Sequence, residues 1–404
     1  MQGVVESTEV STLLAELTTP AGRADPYSRY HRLREFGPLL RADDGALVVT
    51  RYADCATVAR DARFGHLPTD MLAFVGLPDW ADHPALFQLF NSMLLRNPPD
   101  HTRLRRLVSS AFTARRVQGL RPRVAGMVDE LLDGMSGTVD FVDAFAFPLP
   151  VNVIGELLGV PAADRAQFQS LVRDSTRVID SMSPEALALA DPAAAAIRDY
   201  LAELAAERRR NPADDLISAL VAVEEAGDQL TPDELVTMAG LLFSAGFETT
   251  THLLTNGLAA LFANPAQREL LTRSPGLATP AVEELLRYDA PVQLLSRVAW
   301  EPVELGGTTV DGGERIVAYL GAGNRDPERF AEPDTLDLAR ADNAPLSFGG
   351  GIHFCLGAPL ARLEAQVAFP ALLARFPGLA PAGEPERRDS LGIKGFIRMP
   401  VTLG

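Results

Sequence analysis

One long helix most constrains how this chain of 404 residues can fold. The segment Thr231-Pro232-Asp233-Glu234 has the pattern of a capping box, with proline at the first helical position. The helix that begins there is predicted to continue toward Asn264-Pro265. At about 1.5 Å per residue, such a helix crosses a whole domain of this size. Together with the helices described next, it predicts a mainly helical body.

Helical periodicity also dominates the rest of the chain. Further helices are predicted over residues 25–36, 52–61, 99–114, 114–135, 149–226, 280–288 and 357–376. Strands are confined to a hairpin at 39–49 with its turn at Asp43-Asp44-Gly45, to 297–319 and to the C-terminal tail. Residues 64–96 show no regular period but are rich in apolar residues, which is typical of a loop that covers a site or packs on the core. The predicted fold class is mainly α with a minor β portion, as one domain over residues 25–404 after a flexible segment at 1–24.

Composition and charge exclude several classes of protein. The chain is 47% hydrophobic, which is enough for a large core, and its net charge of −16 disfavours binding to nucleic acids or anionic membranes. Residues 1–26 lack the pattern of a signal peptide. The longest apolar run, at 235–247, is interrupted by Thr237 and Ser244 and is too short to span a bilayer. We therefore expect a cytoplasmic monomer without a membrane anchor.

A glycine-rich segment, Phe348 to Gly357, contains one of only two cysteines in the chain. Two cysteines far apart in sequence exclude a disulfide framework and any zinc or iron–sulfur site with several cysteine ligands. Cys355 precedes a predicted helix, whose dipole and unpaired N–H groups favour a thiolate. A thiolate placed in this way suits a metal ligand or a nucleophile. The alternative is a buried cysteine in a glycine-rich turn.

Three other groups of residues carry possible chemistry. Within the long helix, Ala245-Gly246-Phe247-Glu248-Thr249-Thr250 combines small residues, an acid and threonines that can bond back to a carbonyl one turn earlier. Glu284 and Arg287 share a helix face, as do His101 and Arg105. Taken singly, these patterns are more often packing contacts or surface pairs than functional sites.

The segment Phe348–Gly357 resembles the haem-binding loop of cytochromes P450, since its Phe, third Gly, His, Cys and final Gly all fall in place. The other groups follow in that family's order and spacing, so that the resemblance covers residues 25–401. It implies a triangular helical body with a small β-rich corner and a haem b cofactor. It implies Cys355 as the axial ligand of the iron, Phe348 packing beneath the haem with Gly357 beside it, and propionate contacts from His101, Arg105, Arg297 and His353.

The resemblance also assigns roles in the oxygen pocket. It implies that Ala245 and Gly246 line this pocket with room for dioxygen, that Thr249 hydrogen-bonds the activated oxygen, and that Glu248 belongs to a proton route. It further implies that Glu284 and Arg287 form a buried clamp near the cysteine loop. An arginine normally completes that clamp, but counting back from Cys355 without gaps places Thr335 at its position. The third member of the clamp is therefore left open.

The function implied by the resemblance is a monooxygenase that hydroxylates or epoxidises a small molecule with O2. Its electrons would come from NAD(P)H through a ferredoxin reductase and a ferredoxin. One alternative is a haem-thiolate enzyme that uses peroxide or rearranges its substrate, which the presence of both Glu248 and Thr249 disfavours. The other is a haem sensor without enzymatic activity, which the lack of an effector domain disfavours.

The residues expected around the substrate are chiefly apolar, which favours a bulky, mainly neutral natural product of polyketide, terpenoid or cyclic-peptide type. Gln293 and Asn91 are candidates for fixing its orientation. A run of arginines between residues 103 and 123, with no acid among them, would attract an acidic ferredoxin. The predicted pocket residues are Phe74, Leu77, Phe87, Phe90, Leu242, Phe243, Val292, Leu294, Leu295, Phe396 and Ile397.

Overall fold

The structure is a computed structural model that describes residues 4–179, 181–224 and 229–404. Within these ranges the chain is mainly helical. The α-helices are α1 Thr8–Leu17, α2 Pro20–Ala24, α3 Tyr27–Phe36, α4 Tyr52–Arg60, α5 Pro84–Asn91, α6 Asp100–Ala111, α7 Ala114–Gly119, α8 Arg121–Asp133, α9 Pro148–Leu158, α10 Ala162–Arg165, α11 Phe168–Ser175, α12 Pro184–Arg210, α13 Leu216–Glu224, α14 Pro232–Ala263, α15 Pro265–Arg273, α16 Ala278–Tyr288, α17 Leu320–Gly323 and α18 Ala358–Arg375.

The long helix α14 organises the helical body. Its predicted capping box is present, because Glu234 N donates to Thr231 Oγ1 at 3.2 Å and Thr231 N donates to Glu234 Oε2 at 2.8 Å. The helix ends at Ala263, just before Pro265 begins α15. Most of its residues are buried, because α5, α9, α12, α16 and α18 all pack against it. The prediction of this helix from its cap and its terminating proline is confirmed.

The β portion consists of short strands. They are β1 Leu40–Arg41, β2 Leu47–Val49, β3 Phe64–Gly65, β4 Thr138–Asp140, β5 Leu295–Ala299, β6 Val303–Leu305, β7 Thr308–Val310, β8 Arg315–Ala318, β9 Ala380–Pro381, β10 Glu386–Arg387, β11 Phe396–Arg398 and β12 Pro400–Thr402. The main sheet has the order β1-β2-β8-β5-β3 and includes the predicted β1–β2 hairpin. A second sheet joins β4 to β12 and β9. The sequence did not predict β4, because its partner lies about 260 residues away along the chain.

Two segments are more regular than the sequence predicted. Residues 64–96, expected to form an irregular loop, contain β3 and the helix α5, whose Leu86 and Phe90 are buried in a cluster with residues of α12. Residues 8–24, expected to be flexible, form α1 and α2, and both Val10 and Leu17 are buried in a further cluster. The packed structure therefore extends to the N-terminal side of residue 25.

Among the described residues, no helix combines the length and the apolar character needed to cross a membrane.

Candidate active site

The cysteine loop is held in place by close backbone packing. Gly349 and Gly351 have positive φ angles of 67° and 60°, which favour glycine. A Cβ on Gly351 would lie 2.9 Å from the Cα of Arg60, at the end of α4. Cys355 N donates to Phe348 O at 3.0 Å, which closes the loop. The glycines therefore allow the loop to lie directly on α4 and to present Cys355 just before α18.

The two cysteines occupy different environments. Cys55 is fully buried in a core cluster, and burial raises the pKa of its thiol strongly. Cys355 is partly exposed. Burial also raises the pKa of the Cys355 thiol, against the opposing effects of the Gly357 and Ala358 N–H groups and of Arg105 and Arg362. The N–H groups at the start of the helix therefore favour the thiolate, as the sequence suggested, but burial outweighs them.

The middle of α14 presents Ala245 and Thr249 one turn apart. Ala245 is exposed and Thr249 is partly exposed, although most of the helix around them is buried. The Thr249 hydroxyl donates to Ala245 O at 3.2 Å, as expected for a threonine that bonds back along the helix. Ala245 and Thr249 therefore form an accessible stripe on α14, which carries one small side chain and one hydroxyl.

Glu248 and Gly246 point away from that stripe. Glu248 is 7% exposed, forms an ion pair with Arg388 and accepts a hydrogen bond from Thr176 Oγ1 at 3.4 Å. A Cβ on Gly246 would lie 3.3 Å from Ile154 Cδ1 on α9. The small size of Gly246 therefore allows α14 to pack closely on α9.

Three of the predicted propionate ligands, two imidazoles and one guanidinium, lie together beside the cysteine loop. The rings of His101 on α6 and His353 in the cysteine loop have centroids 4.1 Å apart. Burial, Arg105 and Arg297 lower the pKa of His101 to about 4, while burial, His101 and Arg297 lower that of His353 to about 3. Burial lowers the pKa of Arg297 on β5 to about 10.

The groups of this cluster lack acidic partners. In the described part of the chain, no carboxylate pairs with Arg105, Arg297 or the two histidines, and both ring nitrogens of His101 are buried without a hydrogen-bond partner. Arg105 instead donates to Phe354 O at 2.7 Å, which joins α6 to the cysteine loop. Buried donors with unmet hydrogen bonds are costly, so the cluster suits an anionic ligand.

The clamp is complete, and its third member, which the sequence left open, is an arginine. Glu284 and Arg287 are fully buried and joined by hydrogen bonds of 2.7 and 2.8 Å. Arg340 Nε donates to both carboxylate oxygens of Glu284, at 3.2 and 3.1 Å. Thr335 is exposed and contributes only its carbonyl oxygen, which accepts from Arg287 at 3.1 Å. The arginine that completes the clamp is therefore Arg340, five residues after the position found by counting without gaps.

The predicted pocket residues do not form one surface. Phe74 and Ile397 lie at the surface, 80% and 45% exposed. Phe243 packs edge-on against Phe168 in the core, and Phe396 is buried beneath Arg387. The others are at least partly buried: Leu242 in the main core, Phe90 and Leu77 in the cluster of α5 and α12, Phe87 beside Trp80, and Val292, Leu294 and Leu295 against the two smaller cores.

Neither polar side chain proposed to orient a substrate is available for that task. Gln293 is 1% exposed, donates to Ala290 O at 2.7 Å and accepts from the Tyr30 hydroxyl at 3.2 Å. Asn91 donates to Phe87 O at 2.9 Å and accepts from Arg96. Both amides are therefore hydrogen-bonded within the protein.

Three residues that support the site were missed from the sequence. They are His66, whose ring lies 4.8 Å from that of His353, Arg388, which pairs with Glu248, and Arg340. No local pattern marks any of them, because their partners are distant in sequence.

The chain is similar to known proteins over almost its whole length. The profile of the cytochrome P450 family matches residues 69–272 and 277–403. Cytochrome P450 107B1 of Saccharopolyspora erythraea is 43% identical, over 98% of this chain and 99% of its own length. The 6-deoxyerythronolide B hydroxylase of the same organism is 39% identical, over 97% and 99%. The solved structure of the Bacillus subtilis polyketide synthase cytochrome P450 PksS has a TM-score of 0.84 at 38% identity, over 96% and 99%.

The chain belongs to the cytochrome P450 family and has its fold. It is a cytochrome P450 monooxygenase, and membership implies a haem cofactor and the use of O2. The residues present fit that cofactor. Cys355 offers a thiolate ligand for the iron, and the acid-free cluster around His101 offers donors to anionic carboxylates.

Proposed function

We propose that this monooxygenase inserts one oxygen atom of O2 into a bulky, mainly apolar small molecule by hydroxylation or epoxidation, in the biosynthesis of a natural product. The observation that carries the proposal is the position of Cys355 just before α18, beside a cluster of His101, His353, Arg105 and Arg297 that has no acidic partner in the described part of the chain. Relatives that include a 6-deoxyerythronolide B hydroxylase and a P450 of a polyketide synthase support the class of product.

We assign the haem contacts as follows. Cys355 would bind the iron, with Phe348 and Gly357 packed beside it. His101, Arg105, Arg297 and His353 would bind the propionates. When bound there, haem supplies the activation of O2, and thiolate ligation favours O–O cleavage over reversible oxygen binding.

The accessible stripe of α14 would carry the proton chemistry. Thr249 places a hydroxyl on that stripe, and Ala245 leaves space beside it because its side chain is a single methyl group. Glu248 lies behind the stripe, held by Arg388 and Thr176, and would supply protons from there. A hydroxyl and an acid in this order suit stepwise proton delivery into a pocket that excludes bulk water.

The test of the haem assignment is the optical spectrum of the reduced protein under carbon monoxide. We expect the red-shifted Soret band that is peculiar to thiolate-ligated haem. The variant Cys355→His should lose this band, and Cys55→Ser should keep it because Cys55 lies in a separate core cluster. Loss of the band in Cys55→Ser alone would contradict the assignment.

The test of the substrate class is a titration of the same protein with a panel of compounds, read from the spin-state shift of the haem. Bulky neutral polyketides, terpenoids and cyclic peptides should displace distal water and give the shift. Small charged acids should not, because the residues that the sequence predicts around the substrate are apolar. Tight binding of the small acids, with no shift from the bulky neutral compounds, would contradict an apolar pocket.

We further propose that a ferredoxin, reduced through its reductase by NAD(P)H, donates the electrons. The arginine-rich helices α6, α7 and α8 support this, because Arg105 joins α6 to the cysteine loop and Arg121 contacts Gln366 on α18. Turnover driven by NADH with a surrogate ferredoxin and reductase distinguishes this enzyme from a peroxide-dependent one and from a sensor. Turnover with peroxide but not with NADH, ferredoxin and reductase would contradict the proposal.

A further inference from the structure

We propose that His66 is an additional ligand of the haem carboxylates, so that this chain binds the acidic edge of its cofactor with three imidazoles. The inference rests on the proposed haem site and deepens it. It assigns a specific hydrogen bond to a residue outside the four propionate contacts given above.

The backbone of His66 is fixed from both sides. Its N–H donates to Asn97 Oδ1 at 2.8 Å, and its carbonyl accepts from Asn97 Nδ2 at 2.9 Å. The preceding Gly65 packs so closely beneath the Trp300 ring that a Cβ there would collide with it. Because Gly65 pairs with Val298 on β5, these backbone contacts place His66 beside the strand that carries Arg297.

The ring of His66 joins the other imidazoles. It meets the His353 ring edge to face, with centroids 4.8 Å apart and an interplanar angle of 87°. The His353 ring in turn lies 4.1 Å from that of His101. Three imidazoles from three different elements therefore form a continuous row around the cysteine loop.

The unmet hydrogen bonds in this row indicate a shared acceptor. His66 Nε2 is buried and has no hydrogen-bond partner within the described chain, and the same is true of both ring nitrogens of His101. Single unsatisfied atoms occur in most proteins, but unmet nitrogens on both of the rings that flank His353 indicate that one ligand accepts a hydrogen bond from each ring. With the proton on Nε2, His66 is a donor to that ligand.

The charge of the surroundings selects an anion. Arg297 and the other two histidines lower the pKa of His66 further than burial does alone. No group of three or more His, Cys, Asp or Glu residues in the described ranges could hold a metal ion. A ligand among these donors must therefore bring several acceptor oxygens and negative charge, which the two carboxylates of haem provide.

The test compares His66→Phe with His66→Gln. Phenylalanine keeps the ring and removes the donor, whereas glutamine keeps a donor. We expect His66→Phe to transfer its haem to excess apomyoglobin about tenfold faster than the unchanged protein, as the loss of one hydrogen bond to a charged group predicts. Its iron reduction potential should also fall, because a carboxylate with one donor fewer places more negative charge near the iron. His66→Gln should retain most of both properties.

The control variant is His83→Phe, since His83 pairs with Asp191 away from the cluster. It should leave haem transfer and potential unchanged. If the thiolate carbon monoxide band is missing from the unchanged protein, the proposed function fails. If that band is present but His66→Phe has unchanged haem transfer and potential, only this inference is overturned. Equal loss of haem from the Phe and Gln variants would also overturn it, because it would indicate a packing role.

Discussion

The role of Arg340 in the clamp depends on where the folded chain places its guanidinium. Its guanidinium contacts both oxygens of Glu284, while Asn343 Nδ2 and Asp337 N also donate to this buried carboxylate, at 3.0 and 2.9 Å. A carboxylate without exposure to water needs all of these partners. Thr335 lies nearby only as backbone, which is why its side chain could differ from the family pattern without loss of the clamp.

A pair of variants tests this assignment. Arg340→Ala should lower the free energy of unfolding by about 3 kcal/mol, because it removes a partner from a buried charge. Thr335→Ala should change it by less than about 0.5 kcal/mol, as for other exposed positions. Urea denaturation of both variants measures the difference. Equal stability of the two would contradict the role of Arg340.

The hydroxyl of Thr249 can be tested in the same way. Thr249→Ala should still bind haem and substrate but divert electrons from product to hydrogen peroxide, with coupling about tenfold lower. Thr250→Ala is the matched control, since Thr250 makes the same back-bond, to Gly246 O at 3.0 Å, but is buried in the core. The measurement is the ratio of peroxide to product per NADH consumed. Unchanged coupling in Thr249→Ala would remove this residue from the mechanism.

At the scale of elements, α14 contacts the C-terminal segment formed by residues 388–395. Three successive turns of α14 meet it: Glu248 pairs with Arg388, His252 packs directly against Gly395, and Asn256 Nδ2 donates to Lys394 O at 3.0 Å. The short strands β10 and β11 on either side of this segment form a hairpin. The acid of the proposed proton route is thus positioned by an element that lies at the end of the chain.

Replacing Arg388 with glutamine should leave the buried carboxylate of Glu248 without its cationic partner. Arg388→Gln should therefore lower the free energy of unfolding by about 3 kcal/mol, because it removes one partner from a buried charge. Urea denaturation measures this change.

The neighbouring Arg387 provides the control for that experiment. Its guanidinium lies over the Phe396 ring, 4.2 Å from the centroid, so Arg387→Gln should cost about 1 kcal/mol or less. If Arg388→Gln loses no more stability than Arg387→Gln, the ion pair with Arg388 does not stabilise buried Glu248.

At the scale of the whole molecule, the distribution of charge matters more than the total of −16. Of the arginines between residues 103 and 123, at least three pair with carboxylates in the described part of the chain: Arg103 with Glu234, Arg116 with Asp214 and Arg123 with Glu156. The basic surface is therefore weaker than the sequence suggested. Arg115 and Arg121 remain exposed, and Arg121 is bonded only to the neutral amide of Gln366 among its described partners.

The double variant Arg115→Glu with Arg121→Glu tests the proposed docking of a ferredoxin. It should slow electron transfer about tenfold at low salt without changing substrate affinity, because these charges steer the acidic partner. Arg198→Glu on α12, outside the arginine-rich helices, is the control and should have no such effect. Stopped-flow reduction at several ionic strengths measures the rates. Equal rates in both variants would exclude this surface.

The sequence by itself determined the features whose causes lie within a few residues. The start of α14 follows from Thr231 and Glu234, and the β1–β2 turn from Asp43-Asp44-Gly45. The placement of Cys355 before α18 likewise follows from local glycines and the helix start. These features depend on hydrogen bonds and φ angles that neighbouring residues set, so a local pattern is enough to predict them.

Only the tertiary structure decided which side chains meet around the site. Arg388 reaches Glu248 across 140 residues of chain, and His66 reaches His353 through the pairing of β3 with β5. Gly246 faces Ile154, and Arg340 replaces the expected arginine in the clamp. Each of these depends on how helices and strands pack in space and on which groups that packing removes from water. No local pattern encodes this packing or this burial, because burial and long-range pairing are properties of the whole fold.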